Sequence, residues 1–173
     1  MREKIEDTFK KIYENESDAI FRFCLTRVSD RDQALDITQE TFMRLWNNML
    51  NEKEILNPRA FLFTITRNLI IDWYRKKKSI SLDKIIDESG EKFDLIDSNA
   101  INNLELESEG KYALDKISEL GETYQTPIYL RFVEDLSPEE IGKILNISAN
   151  AVSVRINRGL EELRKITGYN KEE

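Results

Sequence analysis

DITQETFMRLW, residues 36–46, is the stretch of this chain that decides its fold. Its inward positions Ile37, Thr41 and Leu45 recur every four residues, which is the spacing of an amphipathic helix and not of a strand. The same spacing recurs later in the chain, at Phe61, Ile65 and Leu69. Only six glycines and three prolines interrupt the 173 residues. These patterns predict an all-helical fold.

The hydrophobic spacing and the cap residues together predict where the helices lie. We expect them at about residues 3–14, 17–28, 31–49, 58–77, 109–119, 122–134, 138–145 and 149–166. Two starts carry chemical markers: Asn57 precedes Pro58, and Ser137 opens a capping box that is completed by Glu140. Pro127 falls inside a predicted helix, so we expect a kink or a later start there.

The helices divide into two small domains, residues 1–78 and residues 111–173, with an acidic flexible linker at residues 79–110. In the linker the apolar residues lack a sustained period and polar residues dominate. It holds nine acidic residues and two lysines, which equals the whole net charge of −7. Local basic patches elsewhere can therefore act on nucleic acid, because charges interact over only about 8 Å at physiological salt.

Composition excludes several classes of site. The chain has no histidine and a single cysteine, Cys24, which rules out a histidine-containing catalytic triad, a zinc finger and a disulfide framework. Cys24 lies in an apolar run and is predicted to pack in the core. The N-terminus is charged and no apolar stretch is long enough to cross a bilayer, so we expect a soluble, cytoplasmic protein without membrane insertion.

A helix-turn-helix pattern occupies residues 137–158. Ser148 is placed to cap the second helix, and Gly142 allows the two helices to approach closely. One stripe of the second helix carries amides and a cation that can pair with base edges, Asn150, Ser153, Val154, Asn157 and Arg158, while Arg155 can anchor a phosphate. The pattern predicts duplex DNA binding, and a solvated polar face is the alternative.

The helix predicted at 58–77 ends in aromatic and basic residues, at Trp73, Tyr74, Arg75, Lys76, Lys77 and Lys78. Its inner face is predicted to be Phe61, Ile65 and Leu69. Cations bind phosphates and aromatic rings stack on exposed bases, so this end is a candidate for single-stranded nucleic acid. Cations also favour helix C-termini electrostatically, so this pattern taken by itself more often indicates an ordinary solvated helix end.

Three ordered motifs carry a family resemblance: residues 36–46, residues 57–68 and the helix-turn-helix. With them the chain resembles an extracytoplasmic-function sigma factor of the sigma-70 family, over essentially its whole length. The resemblance implies that the helix at 31–49 docks on the clamp helices of the largest catalytic subunit of RNA polymerase. The residues it assigns to this contact are Asp36, Gln39, Glu40, Met43 and Arg44.

The resemblance also assigns the promoter contacts. A loop at about 47–57 would trap a flipped base of the minus-ten element, although it lacks the aromatic residue that some relatives carry there. The residues assigned to this element are Asn48, Asn51, Arg67, Asn68, Trp73, Arg75, Lys76 and Lys77. The stripe Asn150, Ser153, Val154, Asn157 and Arg158, with Arg155, would bind the minus-thirty-five element. The acidic linker would thread toward the polymerase active site, as a nucleic-acid mimic or as a plain tether.

The expected protein is thus a transcription initiation factor, not an enzyme, that needs no cofactor, metal or small-molecule substrate. Its expected partners are core RNA polymerase, promoter DNA and a separate anti-sigma factor, which could hold it at the membrane. A stand-alone helix-turn-helix regulator of duplex operators is the alternative, but it leaves residues 36–46 and 73–78 without a role. No carboxylate constellation or phosphate-binding glycine loop supports an enzyme.

Overall fold

The chain folds into helices joined by short turns. The computed structural model describes residues 2–80 and 94–169, and every regular element within those ranges is helical. The elements are α1 (Arg2–Val28), α2 (Arg31–Leu50), α3 (Pro58–Ile80), α4 (Ser98–Ile101), α5 (Ser108–Ser118), α6 (Glu122–Phe132), α7 (Pro138–Leu145) and α8 (Ala149–Thr167). The predicted all-helical class is confirmed.

α1 is one helix of 27 residues, so the predicted separation into helices at 3–14 and 17–28 was wrong. The residues between them are polar, but they include neither glycine nor proline. Polar side chains can extend into solvent without interrupting the backbone hydrogen bonds of a helix. The second half of α1 is anchored in the core by Ile20 and Phe23, and this burial supports the whole helix.

The first three helices pack into a bundle. Phe23 of α1 meets Phe63 of α3 edge to face, with ring centroids 5.3 Å apart. The hydroxyls of Thr41 and Thr66 lie 3.2 Å apart and join α2 to α3 inside the core. Most of the inner face of α3 was predicted out of phase. The fully buried residues are Leu62, Phe63, Thr66 and Ile70, whereas Phe61, Ile65 and Leu69 are half-buried.

The C-terminal half is built around close contacts of α8 with α6 and α7. A Cβ atom added at Gly159 would lie 2.8 Å from Cγ1 of Ile128, so the absence of a side chain lets α6 and α8 touch. Pro127 lies in the second turn of α6, which starts at the predicted bound, Glu122, so a later start forced by this proline is wrong. Proline there removes one hydrogen bond within the helix.

Part of the segment predicted as a linker is folded against both halves. It contains α4, and Ile96, Ala100 and Leu104 are buried. The backbone N–H of Asp97 donates to the carbonyl of Thr26 at 2.8 Å, which ties the segment to the end of α1. The expectations for residues 81–93 lie outside the described residues, and the predicted domain boundaries stay predictions.

Candidate functional site

The outer face of α2 carries the side chains assigned to polymerase. Ile37, Thr41 and Leu45 are buried on the opposite face, as the spacing predicted. The assigned residues are exposed or half-exposed, namely Asp36, Gln39, Glu40, Met43 and Arg44. Arg44 Nε donates to Glu40 Oε1 at 2.7 Å, so these two charges partly neutralise one another. The face combines acidic, amide and thioether groups, which suits contact with a protein.

An aromatic groove lies beside this face, between α1 and α2. Phe9 and Tyr13 come from α1, and Phe42 and Trp46 come from α2. Phe9 packs edge to face on Trp46 at 5.2 Å between centroids, and Tyr13 packs on Phe42 at 4.8 Å. Gln39 and Met43 line the same groove. Met43 is 59% exposed, which is a large unburied area for an apolar side chain.

Sequence reasoning did not predict this groove. The signal was present, because Phe9 and Tyr13 are four residues apart and so are Phe42 and Trp46. Residues four apart lie on one face of a helix, so each pair forms a ridge. That the two ridges face each other depends on how α1 and α2 pack, which a single sequence does not reveal.

The C-terminal part of α3 presents most of the residues assigned to the minus-ten element. Asn68 and Arg75, two turns apart, are exposed, and so are Lys76 and Lys77. The Lys77 ammonium lies 4.9 Å from the centre of the Trp73 ring. A cation that sits on an aromatic ring can hold both groups in place for phosphate and base contacts.

The end of α2 and its C-cap supply two further residues of this set. Asn48 Nδ2 donates to the carbonyl of Arg44 at 2.7 Å, and Asn51 forms the C-cap of α2. Leu56 is 84% exposed, and no sequence argument singled it out. An exposed leucine in a mostly polar turn offers an apolar surface to the face of a base.

Arg67 differs from the rest of its set, because it is nearly buried and already paired. Its Nε donates to Oδ2 of Asp94 at 2.7 Å. The same carboxylate accepts from Nε of Arg27 at 3.0 Å and from the hydroxyl of Thr126 at 3.0 Å. Asp94 thus joins α1, α3 and α6, and in this state Arg67 faces the C-terminal half rather than solvent.

The helix-turn-helix has the predicted local geometry. The capping box at Ser137 and Glu140 is formed in both directions, and Ser148 accepts the N–H of Ala151 at 3.1 Å. A Cβ atom at Gly142 would lie 2.7 Å from the carbonyl oxygen of Ile147, so glycine is needed for the tight turn. Asn146 ends α7 in the left-handed conformation.

The outer stripe of α8 is largely accessible. Asn150, Val154, Asn157 and Arg158 are exposed, and Val152 and Ile156 are buried on the other side. Ser153 is half-buried and donates to the carbonyl of Ala149 at 3.1 Å. Arg155 lies outside the stripe and lines a small cleft together with Arg67 and Asp94.

A second buried carboxylate, Glu134, lies where the turn after α6 meets the N-terminal bundle. We call the contacts it makes the Glu134 seam. Arg22 of α1 binds both oxygens, with Nη2 at 3.0 and 3.1 Å. Arg59 of α3 donates to the backbone carbonyl of Glu134 at 2.7 Å and lies 3.4 Å from its side chain. The hydroxyl of Tyr129 donates at 2.9 Å, and burial together with the carboxylate raises the pKa of that phenol.

A hydrogen bond at the start of α7 extends the Glu134 seam. Asn57 Nδ2 donates to Oε1 of Glu140 at 2.7 Å, while Asn57 Oδ1 caps α3 by accepting the N–H of Ala60. Partial burial opposes ionisation of Glu140, but donation from Ser137 and Asn57 outweighs it and lowers the pKa of that carboxyl. One asparagine therefore caps α3 and also binds the helix-turn-helix.

Within the described residues, neither a candidate metal site nor a membrane-spanning helix is found. Residues 2–80 and 94–169 contain no group of three or more acidic, histidine or cysteine side chains that could hold a metal ion. In those same ranges, no helix has both the length and the apolar character required to span a bilayer. Cys24 is buried as predicted, and burial raises the pKa of its thiol to about 12.

Comparisons with known proteins match both halves of the chain. A family model described as Sigma-70 region 2 matches residues 12–80, and one described as Sigma-70, region 4 matches residues 111–163. The chain is 33% identical to the ECF RNA polymerase sigma factor SigW of Bacillus subtilis over 173 residues, covering 92% of this chain and 89% of the relative. It is 31% identical to the ECF RNA polymerase sigma factor SigM of the same organism over 170 residues, covering 95% and 96%.

Among solved structures, the chain is similar to the sigma factor RpoE from Bartonella quintana, crystallised with the anti-sigma factor NepR. The TM-score is 0.67 with 24% identity, covering 95% of this chain and 99% of that chain. At that identity the likeness shows a shared fold.

Proposed function

Since the chain belongs to the extracytoplasmic-function group of the sigma-70 family and is a transcription initiation factor, we propose a division of labour between its halves. Residues 1–78 bind core RNA polymerase and open the minus-ten element, and residues 111–173 bind the minus-thirty-five element. The observation that carries this proposal is the presence of three accessible surfaces of fitting chemistry, on α2, α3 and α8, within the two matched regions.

The polymerase contact is formed by the outer face of α2 together with the aromatic groove. Asp36 and Glu40 provide charge that steers a basic partner, and Met43 and Trp46 provide apolar area that can be buried. Aromatic residues are enriched among the few interface positions whose truncation costs about 2 kcal/mol or more, whereas rim charges mainly affect the association rate. The groove thus adds Phe9, Tyr13, Phe42 and Trp46 to the residues predicted from the sequence.

Minus-ten recognition uses α3 and the turn before it. Asn68, Arg75, Lys76 and Lys77 line the exposed end of α3, where cations can follow a single-stranded backbone. The turn that carries Asn51 and Leu56 receives the flipped base. Flipping costs a few kcal/mol, which stacking and hydrogen bonds in the protein offset.

Minus-thirty-five recognition uses the exposed stripe of α8. Asn157 and Arg158 are the types of side chain that pair with adenine and guanine in a major groove. Val154, 39% exposed, can touch a thymine methyl group. Arg155 contacts the phosphate backbone once the cleft beside Asp94 opens.

No step of this function requires the protein to break a covalent bond, so we propose that it is not an enzyme and works without a cofactor. The sigma factor in the similar Bartonella structure is bound by an anti-sigma factor. We propose that a protein of that kind controls this chain in the cytoplasm. A membrane-held regulator is one form that such control can take.

Run-off transcription with purified bacterial core RNA polymerase tests the function. The template is a fragment library of the source genome, and the protein is present or omitted. New discrete start sites are the expected result. The opposite result would be no new start sites with a competent core enzyme, together with binding to a palindromic fragment without polymerase. That result would support the stand-alone regulator, which the comparisons do not favour.

The docking surface is tested by changing Asp36→Ala and Glu40→Ala together. We expect weaker binding to core polymerase, because two acidic side chains of the contact are lost. The circular dichroism spectrum should stay unchanged, since both side chains lie on the outer face of α2. The matched control is Glu107→Ala with Glu109→Ala, which removes two exposed acidic side chains just before and within α5. Equal polymerase affinity for both double variants would contradict the assignment of α2.

A further inference from the structure

The side chain of Met43 lies open to solvent, unlike that of the other methionine that the structure describes. The sequence has three methionines, Met1, Met43 and Met49, and Met1 lies outside the described residues. Met43 is 59% exposed, whereas Met49 is half-buried and packs against the hydrophobic core. Methionine is ordinarily one of the buried residue types. The exposed thioether of Met43 therefore does not serve the core of the bundle.

The aromatic groove gives small oxidants access to Met43. Its volume is about 620 Å³ and it opens to solvent, so a hydroperoxide molecule can enter beside the thioether. Four aromatic side chains of α1 and α2 line it together with Met43, and Glu6 and Gln39 are the polar lining residues. A polar oxygen atom added at Met43 would therefore change the chemistry of a mostly apolar surface.

The position of Met43 on α2 confines that change to the surface. The buried face of the same helix is formed by Ile37, Thr41 and Leu45. Because Met43 points away from these residues, an oxygen atom on its sulfur does not disturb their packing. We therefore expect α2 and the bundle to stay folded when Met43 is oxidised.

We propose that Met43 is a reversible oxidation site through which a hydroperoxide lowers the affinity of this factor for core RNA polymerase. The proposal rests on the proposed function, since it needs the outer face of α2 as the polymerase contact. In the reaction, the peroxide O–O bond breaks and one oxygen atom forms a bond to the thioether sulfur. The sulfur loses two electrons, and the other oxygen takes them up with a proton and leaves as water or as an alcohol.

The affinity falls because the product is polar. Oxidation turns a flexible apolar side chain into a polar, chiral sulfoxide. The sulfoxide oxygen accepts hydrogen bonds, but most of the groove around it is aromatic carbon. A partner that covers the groove removes this oxygen from water without supplying a donor. A buried acceptor left unpaired in this way weakens binding by roughly ten-fold or more.

The exposure that admits a peroxide also admits a repair enzyme. Methionine sulfoxide reductases restore the thioether, with one enzyme for each epimer of the sulfoxide. Two thiols supply the two electrons and form a disulfide, and the oxygen atom leaves as water. Core polymerase, once bound, covers Met43 and shields it from both reactions. The site therefore responds to oxidants while the factor is unbound.

Peptide mass spectrometry of the folded, full-length chain after hydrogen peroxide treatment tests the site. Trypsin cleaves after Arg44, so Met43 and Met49 fall in different peptides. We expect Met43 to gain one oxygen atom several-fold faster than Met49, and we expect saturating core polymerase to slow the reaction of Met43. Equal rates for the two residues in the free chain would overturn the proposal, and so would equal rates at Met43 with and without bound polymerase.

Surface plasmon resonance then measures the affinity for core polymerase before and after peroxide treatment, with the peroxide removed before the polymerase is added. Each protein is compared with its own untreated form. The affinity of the wild-type chain and of the matched control Met49→Leu should fall by roughly ten-fold or more. That of Met43→Leu, which has no sulfur at this position, should change by less than about two-fold. An equal fall in all three proteins would overturn the proposal. Unchanged circular dichroism checks that the treated chains stay folded.

Reduction tests whether the site is reversible. Both sulfoxide reductases are added with dithiothreitol to the oxidised wild-type chain, and mass spectrometry follows the return of Met43 to the thioether. The affinity for core polymerase should return with it. A lasting loss of affinity after complete reduction of Met43 would overturn the proposal.

The untreated chain separates this proposal from the proposed function. If the untreated wild-type chain neither binds core polymerase nor gives a run-off transcript, the proposed function fails and the oxidation site loses its role with it. If the untreated chain binds and transcribes, but a chain with fully oxidised Met43 binds equally well, only the regulatory role of Met43 is refuted.

Discussion

The tight turn between α7 and α8 allows a test of packing at a single residue, Gly142. A methyl group at Gly142 would lie 2.7 Å from the carbonyl oxygen of Ile147, inside the 3.0 Å that Cβ atoms essentially never cross. The next atoms, from Ala149 and Ser148, are also backbone, so no side chain can rotate away. Gly142→Ala must therefore push the turn and α8 away from α7.

The change in the free energy of unfolding results from two opposing effects. Alanine in a helix interior is favoured over glycine by about 1 kcal/mol. Overpacking against an unyielding neighbour costs about 1–3 kcal/mol. We expect Gly142→Ala to lower the free energy of unfolding by up to about 2 kcal/mol. Affinity for the minus-thirty-five element should fall further, because α8 is displaced.

Urea unfolding followed by circular dichroism measures the change, with Gly110→Ala as the control. Gly110 lies in the first turn of α5, where a Cβ atom would meet only Leu106 at 3.6 Å, an ordinary contact. That control should gain stability, by about 0.5–1 kcal/mol. The reasoning fails if Gly142→Ala stabilises the protein as much as Gly110→Ala does.

The remaining predictions concern charge. The pKa of Glu140 is lowered in the folded state, so its stabilisation is complete above the ordinary value of 4.5 and is lost as pH falls through the lowered value. Between pH 7 and pH 3, the melting temperature of Glu140→Gln should therefore fall less than that of the wild-type chain. Equal falls would contradict the stabilisation by the ionised Glu140 side chain. Arg158→Ala should cost about 1–3 kcal/mol of promoter binding and relax the preference at one upstream base pair. A competition binding assay measures this preference, with Arg164→Ala as the control for the loss of charge. If Arg158→Ala lowers the affinity equally for all sequences, Arg158 contacts a phosphate and not a base.

Local chemistry predicted much of this fold. The starts of α3, α7 and α8 follow from Asn57, Ser137 and Ser148, whose side chains satisfy the N–H groups of the first turn. The two faces of α8 follow from its spacing alone. These features involve residues within four positions of each other, so a single sequence contains the information.

Features that depend on distant residues could not be predicted in the same way. Arg22 and Glu134 are 112 positions apart, and Arg27 and Asp94 are 67 apart. Nothing near Glu134 distinguishes it from an ordinary surface acid. The phase of α3 was wrong for a related reason. α3 packs against α1, α2 and α7, so both of its apolar stripes have neighbours, and tertiary packing decides which is buried more deeply.

The unbroken length of α1 fixes a register between two distant surfaces. Tyr13 belongs to the aromatic groove and Arg22 to the Glu134 seam. A single continuous helix, with a rise of about 1.5 Å per residue, connects them. Inserting one residue between them would turn the groove by about 100° relative to the seam. Inserting seven would nearly restore it, with a remaining rotation of about 20°. Natural variation in the number of residues between Tyr13 and Arg22 should therefore be rare, and where it occurs it should come in steps of whole heptads.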